Sequence, residues 1–150
     1  EVFEVVVSHI QQKGGQVLKF MGDGLLAIFS HDDGGRACTD ALHAARAIQA
    51  GIDTLAQSRQ ARGEPATGIG IGLHYGDVMY GNIGAPGRLD FTVIGSAVNL
   101  SARIEGLCRG LDRSILMSRN FADLLQEPME SCGTHELKGV DAPVEVLCSS

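Results

Sequence analysis

Between positions 16 and 29 the chain reads QVLKFMGDGLLAIF, two short apolar runs (17–21 and 25–29) set around Gly22-Asp23-Gly24. Runs of that length joined by an Asp-Gly turn predict a β-hairpin, which commits this part of the chain to a sheet. Side chains alternate along a strand, so Val17, Lys19 and Met21 are expected on one face and Leu18 and Phe20 on the other. Lys19 then stands among apolar neighbours, and Asp23 sits at the hairpin tip with glycine on both sides. A carboxylate on a rigid turn with open backbone around it is what a Mg²⁺–phosphate site requires. It is equally what an ordinary turn uses, and the hairpin alone favours that plainer reading.

Composition narrows the rest. The chain has 150 residues, 44% hydrophobic and 20% charged, enough apolar content for the core of one domain. A net charge of −6 and the absence of a long basic run give nucleic acid and anionic membrane surfaces no electrostatic hold. Cys38, Cys108, Cys132 and Cys148 form no CxxC pair, so all four read as reduced thiols in a cytosolic setting. His9, His31, His43, His74 and His135 have no HxxxH or HxH spacing, so zinc is not expected. No 18-residue apolar stretch is present, so this domain is not expected to insert in a membrane. The chain opens without methionine on EVFEVVVSHI, where Phe3, Val7 and Ile10 suit a helix. The expectation is a helix already under way, in a chain whose N-terminal part lies elsewhere.

After the hairpin, residues 31–34 supply turn and N-cap chemistry. Over 35–61, Cys38, Ala41, Leu42, Ala45, Ile48, Ile52 and Leu55 recur at helical spacing and predict one long amphipathic helix. Residues 59–68 break it. In 69–79, Gly68, Gly70 and Gly72 alternate with Ile69, Ile71 and Leu73, which in a strand gives one apolar face and one bare face. A nucleotide glycine loop fails here: the dinucleotide fingerprint needs glycine at Leu73, and the P-loop needs lysine where Asn82 stands. Close packing against a helix or a partner is the better reading. A connector over 80–89 precedes a short strand at 90–94. Gly95-Ser96 then caps a helix reaching about Leu107, with Ala97, Leu100, Ile104 and Leu107 as its stripe. Asn99 and Arg103, four apart, are neighbours on another face. Residues 113–118 read as a strand and 120–126 as a short helix. Two strands at 134–138 and 144–148 are joined by a turn at 139–143. These elements predict an α+β sandwich with helices on one side of the sheet.

The motifs KFMGDG, GLHYGDVMYGNIG and DFTVIGSAVNLSARIEGL, with a C-terminal ELKGV, resemble class III nucleotidyl cyclases, chiefly adenylyl cyclases. The resemblance spans nearly the whole chain. It implies one catalytic domain over 1–150 with a ferredoxin-like (βαββαβ-type) antiparallel sheet and helices packed on it. It implies that Asp23 matches one of two aspartates that bind two metal ions, Mg²⁺ or Mn²⁺. Lys19 matches the base-reading lysine, and Asn99 and Arg103 the pair that holds the ribose and stabilises the transition state. Lys138 matches the lysine that grips the triphosphate. The second base-reading position lies seven residues before Asn99, at Thr92; Asp90 is two residues out of register. The Lys/Thr combination resembles the subgroup that includes bicarbonate-stimulated enzymes, which raises bicarbonate as a regulator.

The chemistry of the matched residues agrees. Lys19 only donates hydrogen bonds and the Thr92 hydroxyl accepts, a pattern that suits N1 and the N6 amino group of adenine. Guanine reverses both groups. Arg103, planar and always charged, suits phosphoryl oxygens on which charge grows. Two features depart from the family pattern. The other metal aspartate, expected in an early strand, has no counterpart here, so this chain alone is expected to be nearly inactive. Asp77 stands where some members carry a phosphate-binding arginine. The family also implies an active site between two catalytic domains, in a homodimer or a heterodimer with a second cyclase domain. The bare glycine face and the Asn99/Arg103 face are both expected near that interface. A non-catalytic cyclase-like module that dimerises or binds nucleotide is the alternative. A diguanylate cyclase would need GG(D/E)EF where MGDGLL stands.

Overall fold

A computed structural model describes residues 2–21, 24–29, 33–65, 68–76, 79–82, 91–94, 96–140 and 142–149. The opening helix, α1 (Val2–Gln12), leads into the hairpin of β1 (Gln16–Met21) and β2 (Gly24–Ile28), paired antiparallel. The predicted long helix is α2 (Gly34–Ala61). Asp33 caps it: its carboxylate accepts from the amides of Gly35 at 2.9 Å and Arg36 at 3.3 Å, satisfying two of the donors a helix start leaves open. There follow β3 (Ile71–Leu73), β4 (Met79–Asn82), β5 (Phe91–Ile94), α3 (Ser96–Glu105), α4 (Cys108–Leu111), β6 (Ile115–Ser118), α5 (Arg119–Ala122), β7 (Glu130–His135) and β8 (Val144–Cys148).

The main sheet has the order β3-β6-β8-β7. β6 pairs with β8, and β8 with β7, antiparallel; β3 runs parallel to β6. β4 and β5 form a separate antiparallel pair. The α+β class holds, with a mixed rather than wholly antiparallel sheet.

Helices on one side of the sheet were expected; they lie on both. All four residues of β6 are buried. Ile115 and Met117 pack into a cluster with Cys38, Ala41, Leu42 and Ala45 of α2. Leu116, between them and therefore on the opposite face, packs with Ile104 of α3 and Cys108 of α4. A strand covered on both faces needs a continuous apolar run, and ILM supplies it. A third cluster joins Ile10 of α1 to Ile48 and Ile52 of α2, with Val17, Leu25 and Ala27 of the hairpin against it.

The alternation expected in β1 is also interrupted. Val17 faces Ala27 but Lys19 already faces Leu26, so the register shifts between them. An extra residue on one strand of a pair is a β-bulge, and period-two face assignments do not carry across it. The expected alternation therefore does not run unbroken through β1. The glycine run is divided: 71–73 form β3 and 79–82 form β4, in what was read as a connector.

Candidate active site

The glycine strand explains the position of α3, the helix that carries Asn99 and Arg103. A Cβ at Gly72 would lie 2.6 Å from the Ser101 carbonyl oxygen and 2.6 Å from the Glu105 amide nitrogen. Only a residue without a side chain lets helix backbone come this close to a strand. Ser101 Oγ donates to the Gly72 carbonyl at 3.1 Å, and the Cys108 thiol reaches the Ile71 carbonyl at 3.7 Å. The bare face at Gly70 and Gly72 is thus covered by α3 and α4 of the same chain. Of the two alternatives read from the sequence, a helix or a partner, the face packs against helices of its own chain.

With Ile104 fully buried beneath it, α3 turns Asn99 and Arg103 outward on successive turns. Both are exposed, and Arg103 has no ion-pair partner among the described residues. Arginine commonly pairs with carboxylates on protein surfaces, and its planar guanidinium is suited to bidentate contact with anionic oxygens.

Lys19 lies on β1 just after the bulge, and Thr92 on β5, opposite Gly81 of β4. The backbones of β1 and β5 approach each other, so positions 19 and 92 are carried on neighbouring strands. Asp23, Asp77 and Asp90 lie outside the described residues.

Lys138 is exposed on a tight turn. The Val140 amide donates to the Leu137 carbonyl at 3.1 Å, and Gly139 has φ +81°. A positive φ at the third turn position is why glycine follows the lysine. Leu137 is buried in the cluster that contains Ile104, and Val140 and Leu100 pack against it. The turn bearing Lys138 and the helix bearing Asn99 and Arg103 are therefore seated on one apolar cluster.

One polar pair went unread in the sequence. His74, just past β3, places Nδ1 2.7 Å from Oγ of buried Ser118, and Ser118 Oγ also accepts from the Phe121 amide at 3.3 Å. Because that oxygen already accepts one bond, its own hydrogen is available to Nδ1 of a neutral ring. Burial lowers the His74 pKa, in keeping with the neutral form. The pair ties the end of β3 to the end of β6. No local spacing links residues 44 apart; only strand pairing brings them together.

Among the described residues, no group of three histidine, cysteine or acidic side chains comes together to hold a metal ion. The described part does not by itself furnish a metal site. No described helix is long and apolar enough to cross a membrane.

The mixed sheet seats the helix that carries exposed Asn99 and Arg103, and the turn that carries Lys138 rests on the same apolar cluster. The family model for the Adenylate and Guanylate cyclase catalytic domain matches residues 1–147, and the chain belongs to that family. It is 37% identical over 141 residues to an adenylate cyclase of Anabaena cylindrica, covering 91% of this chain and 26% of that protein. It is 31% identical over 152 residues to the photoactivated adenylate cyclase subunit beta of Euglena longa, covering 95% of this chain and 17% of that one. The chain thus spans about a quarter or less of these relatives' length. Among solved structures it resembles the adenylyl cyclase CyaB from P. aeruginosa, with a TM-score of 0.85 at 26% identity over 99% of this chain and 79% of that one. It also resembles the guanylyl cyclase Cya2, with a TM-score of 0.77 at 28% identity over 98% and 75%. Likeness extends to cyclases of both bases.

Proposed function

We propose that this domain is an adenylate cyclase that converts ATP to 3′,5′-cyclic AMP and pyrophosphate by in-line attack of the ribose 3′-oxygen on the α-phosphorus. The observation that carries this reading is the exposed Asn99/Arg103 pair on a helix set backbone-to-backbone on β3. Asn99 orients the ribose, and Arg103 holds the phosphoryl oxygens while charge accumulates. Lys138 grips the triphosphate. Asp23 is the residue we assign to Mg²⁺ or Mn²⁺, whose chemistry is to acidify the attacking hydroxyl and neutralise the leaving charge. The site is shared between two catalytic domains, Asp23 serving one side and the other residues its partner. The reduced thiols suit a cytoplasmic setting, and bicarbonate stimulation at fixed pH is the test of the subgroup.

Lys19 and Thr92 select the base. Adenine meets both, whereas guanine leaves a donor facing Lys19, a mismatch of about 1–3 kcal/mol in a dry site. The experiment is a cyclase assay with ATP and GTP, in a chain that supplies both metal aspartates. Lys19→Glu with Thr92→Cys should raise the GTP:ATP rate ratio by at least tenfold. An unchanged ratio refutes the assignment of the base pocket.

A further inference from the structure

We propose that Cys132 and Cys148 are an oxidation-sensitive dithiol, closed by hydrogen peroxide into a disulfide that tethers β7 to β8. In the β7–β8 register Glu130 stands opposite Cys148, and the Cys148 thiol is directed at the Glu130 carboxylate, 3.7 Å away. Cys132 is two residues beyond Glu130, and its side chain is a hydrogen-bond partner of the Cys148 thiol. The register shift between Ser131 and Thr134 falls around it, with Gly133 at φ +94°. A bulge gives that segment freedom a regular ladder lacks. Cys132 packs against the apolar cluster that contains Cys148, and both are free thiols.

The other cysteines are placed against such pairing. Cys108 shares the cluster, but its thiol is directed at the Ile71 and Ser114 carbonyls, towards the β3–β6 side. Cys38 lies in the cluster on the opposite face of the sheet.

Accessibility assigns the order of events. Cys148 is fully buried and Cys132 only partly so. Burial, then a hydrogen bond with the Cys132 side chain, pushes the Cys148 thiol up to about 12. Cys148 therefore stays protonated and Cys132 meets the oxidant first. Cys132 S–H reacts with peroxide to give the sulfenic acid and one water. Cys148 sulfur then attacks that sulfur as its proton passes to the departing sulfenic oxygen, the S–S bond forms, and the oxygen leaves as the second water. Both sulfurs are oxidised and the peroxide is reduced.

The loop closed by this bond, 132–148, contains the turn that carries Lys138. Resting on the cyclase reading, oxidation is then expected to change the KM for ATP. Two measurements separate the claims. After peroxide treatment of the full-length protein, tryptic mapping without reduction should link the peptide 120–138 to the peptide beginning at Gly139, with a loss of two hydrogens. The link should be absent in Cys132→Ser and present in Cys38→Ser. A link to the Cys108 peptide (104–109), or oxidation of Cys132 to sulfinic acid with no link, overturns the proposal. Where the link forms, a KM raised at least threefold in the wild type and unmoved in Cys132→Ser supports the consequence. A link with unchanged KM leaves the dithiol standing and refutes the role given to Lys138.

Discussion

The three glycines before and within β3 form a graded test of how α3 is seated. At Gly72 an added Cβ meets helix backbone at 2.6 Å on two atoms, where ordinary contact begins at 3.4 Å. Strand and helix must separate by the difference, 3.4 − 2.6 = 0.8 Å, because no flexible side chain can yield. Overpacking of this kind costs about 1–3 kcal/mol. At about 2 kcal/mol, the melting temperature of a domain this size falls by about 4–8 °C. At Gly70 the nearest atom is Cβ of Cys108 at 2.9 Å, and at Gly68 nothing lies within 4 Å. Alanine should therefore be neutral or stabilising by up to about 1 kcal/mol at 68, intermediate at 70 and worst at 72. Urea midpoints of the three variants give the order directly. Catalysis should follow the same order, since displacing α3 by about 1 Å moves Arg103 and costs about 10²-fold in rate. A Gly72→Ala protein as stable as the wild type would refute close seating of the helix.

Other consequences follow from neighbouring contacts. Arg103→Ala should lower cyclase rate by about 10²–10³ while leaving the melting temperature unchanged, because the side chain is exposed and has no ion pair among the described residues. Leu116→Ala, at a fully buried position covered by helices, should cost about 2–5 kcal/mol in urea unfolding. Leu124→Ala, at an exposed position, should cost less than about 0.5 kcal/mol. Burial lowers the His74 pKa below its ordinary 6.5, so the unfolded chain takes up that proton first on acidification. This share of stability is complete above pH 6.5 and is lost as pH falls below it. His74→Asn should accordingly show a smaller drop in urea midpoint between pH 7 and pH 5 than the wild type does.

Much of this was legible before any coordinates. The hairpin announced itself through two apolar runs around Gly-Asp-Gly, and α2 through its 3.6-residue period, because both signals are local. Alternating glycines correctly implied a backbone approach, although which element approached was not encoded nearby. Strand β7 was placed four residues late. Its sequence ESCGTH lacks apolar alternation, and it is a strand because β8 pairs with it across a bulge. The coverage of β6 on both faces was hinted at only by three consecutive apolar residues, too short a run to distinguish from half-burial. Of the site, the Asn99/Arg103 spacing was readable as a shared helix face. The common cluster beneath α3 and the Lys138 turn was not, since Leu137 and Ile104 are 33 positions apart.

The backbone contact between Gly72 and α3 also limits how any regulatory input can act. Side-chain layers can shear past one another by exchanging rotamers, but two backbones in contact have nothing to exchange. A signal that repositions Asn99 and Arg103 must therefore carry β3 along as a single body, and compliance must reside at the borders of that body.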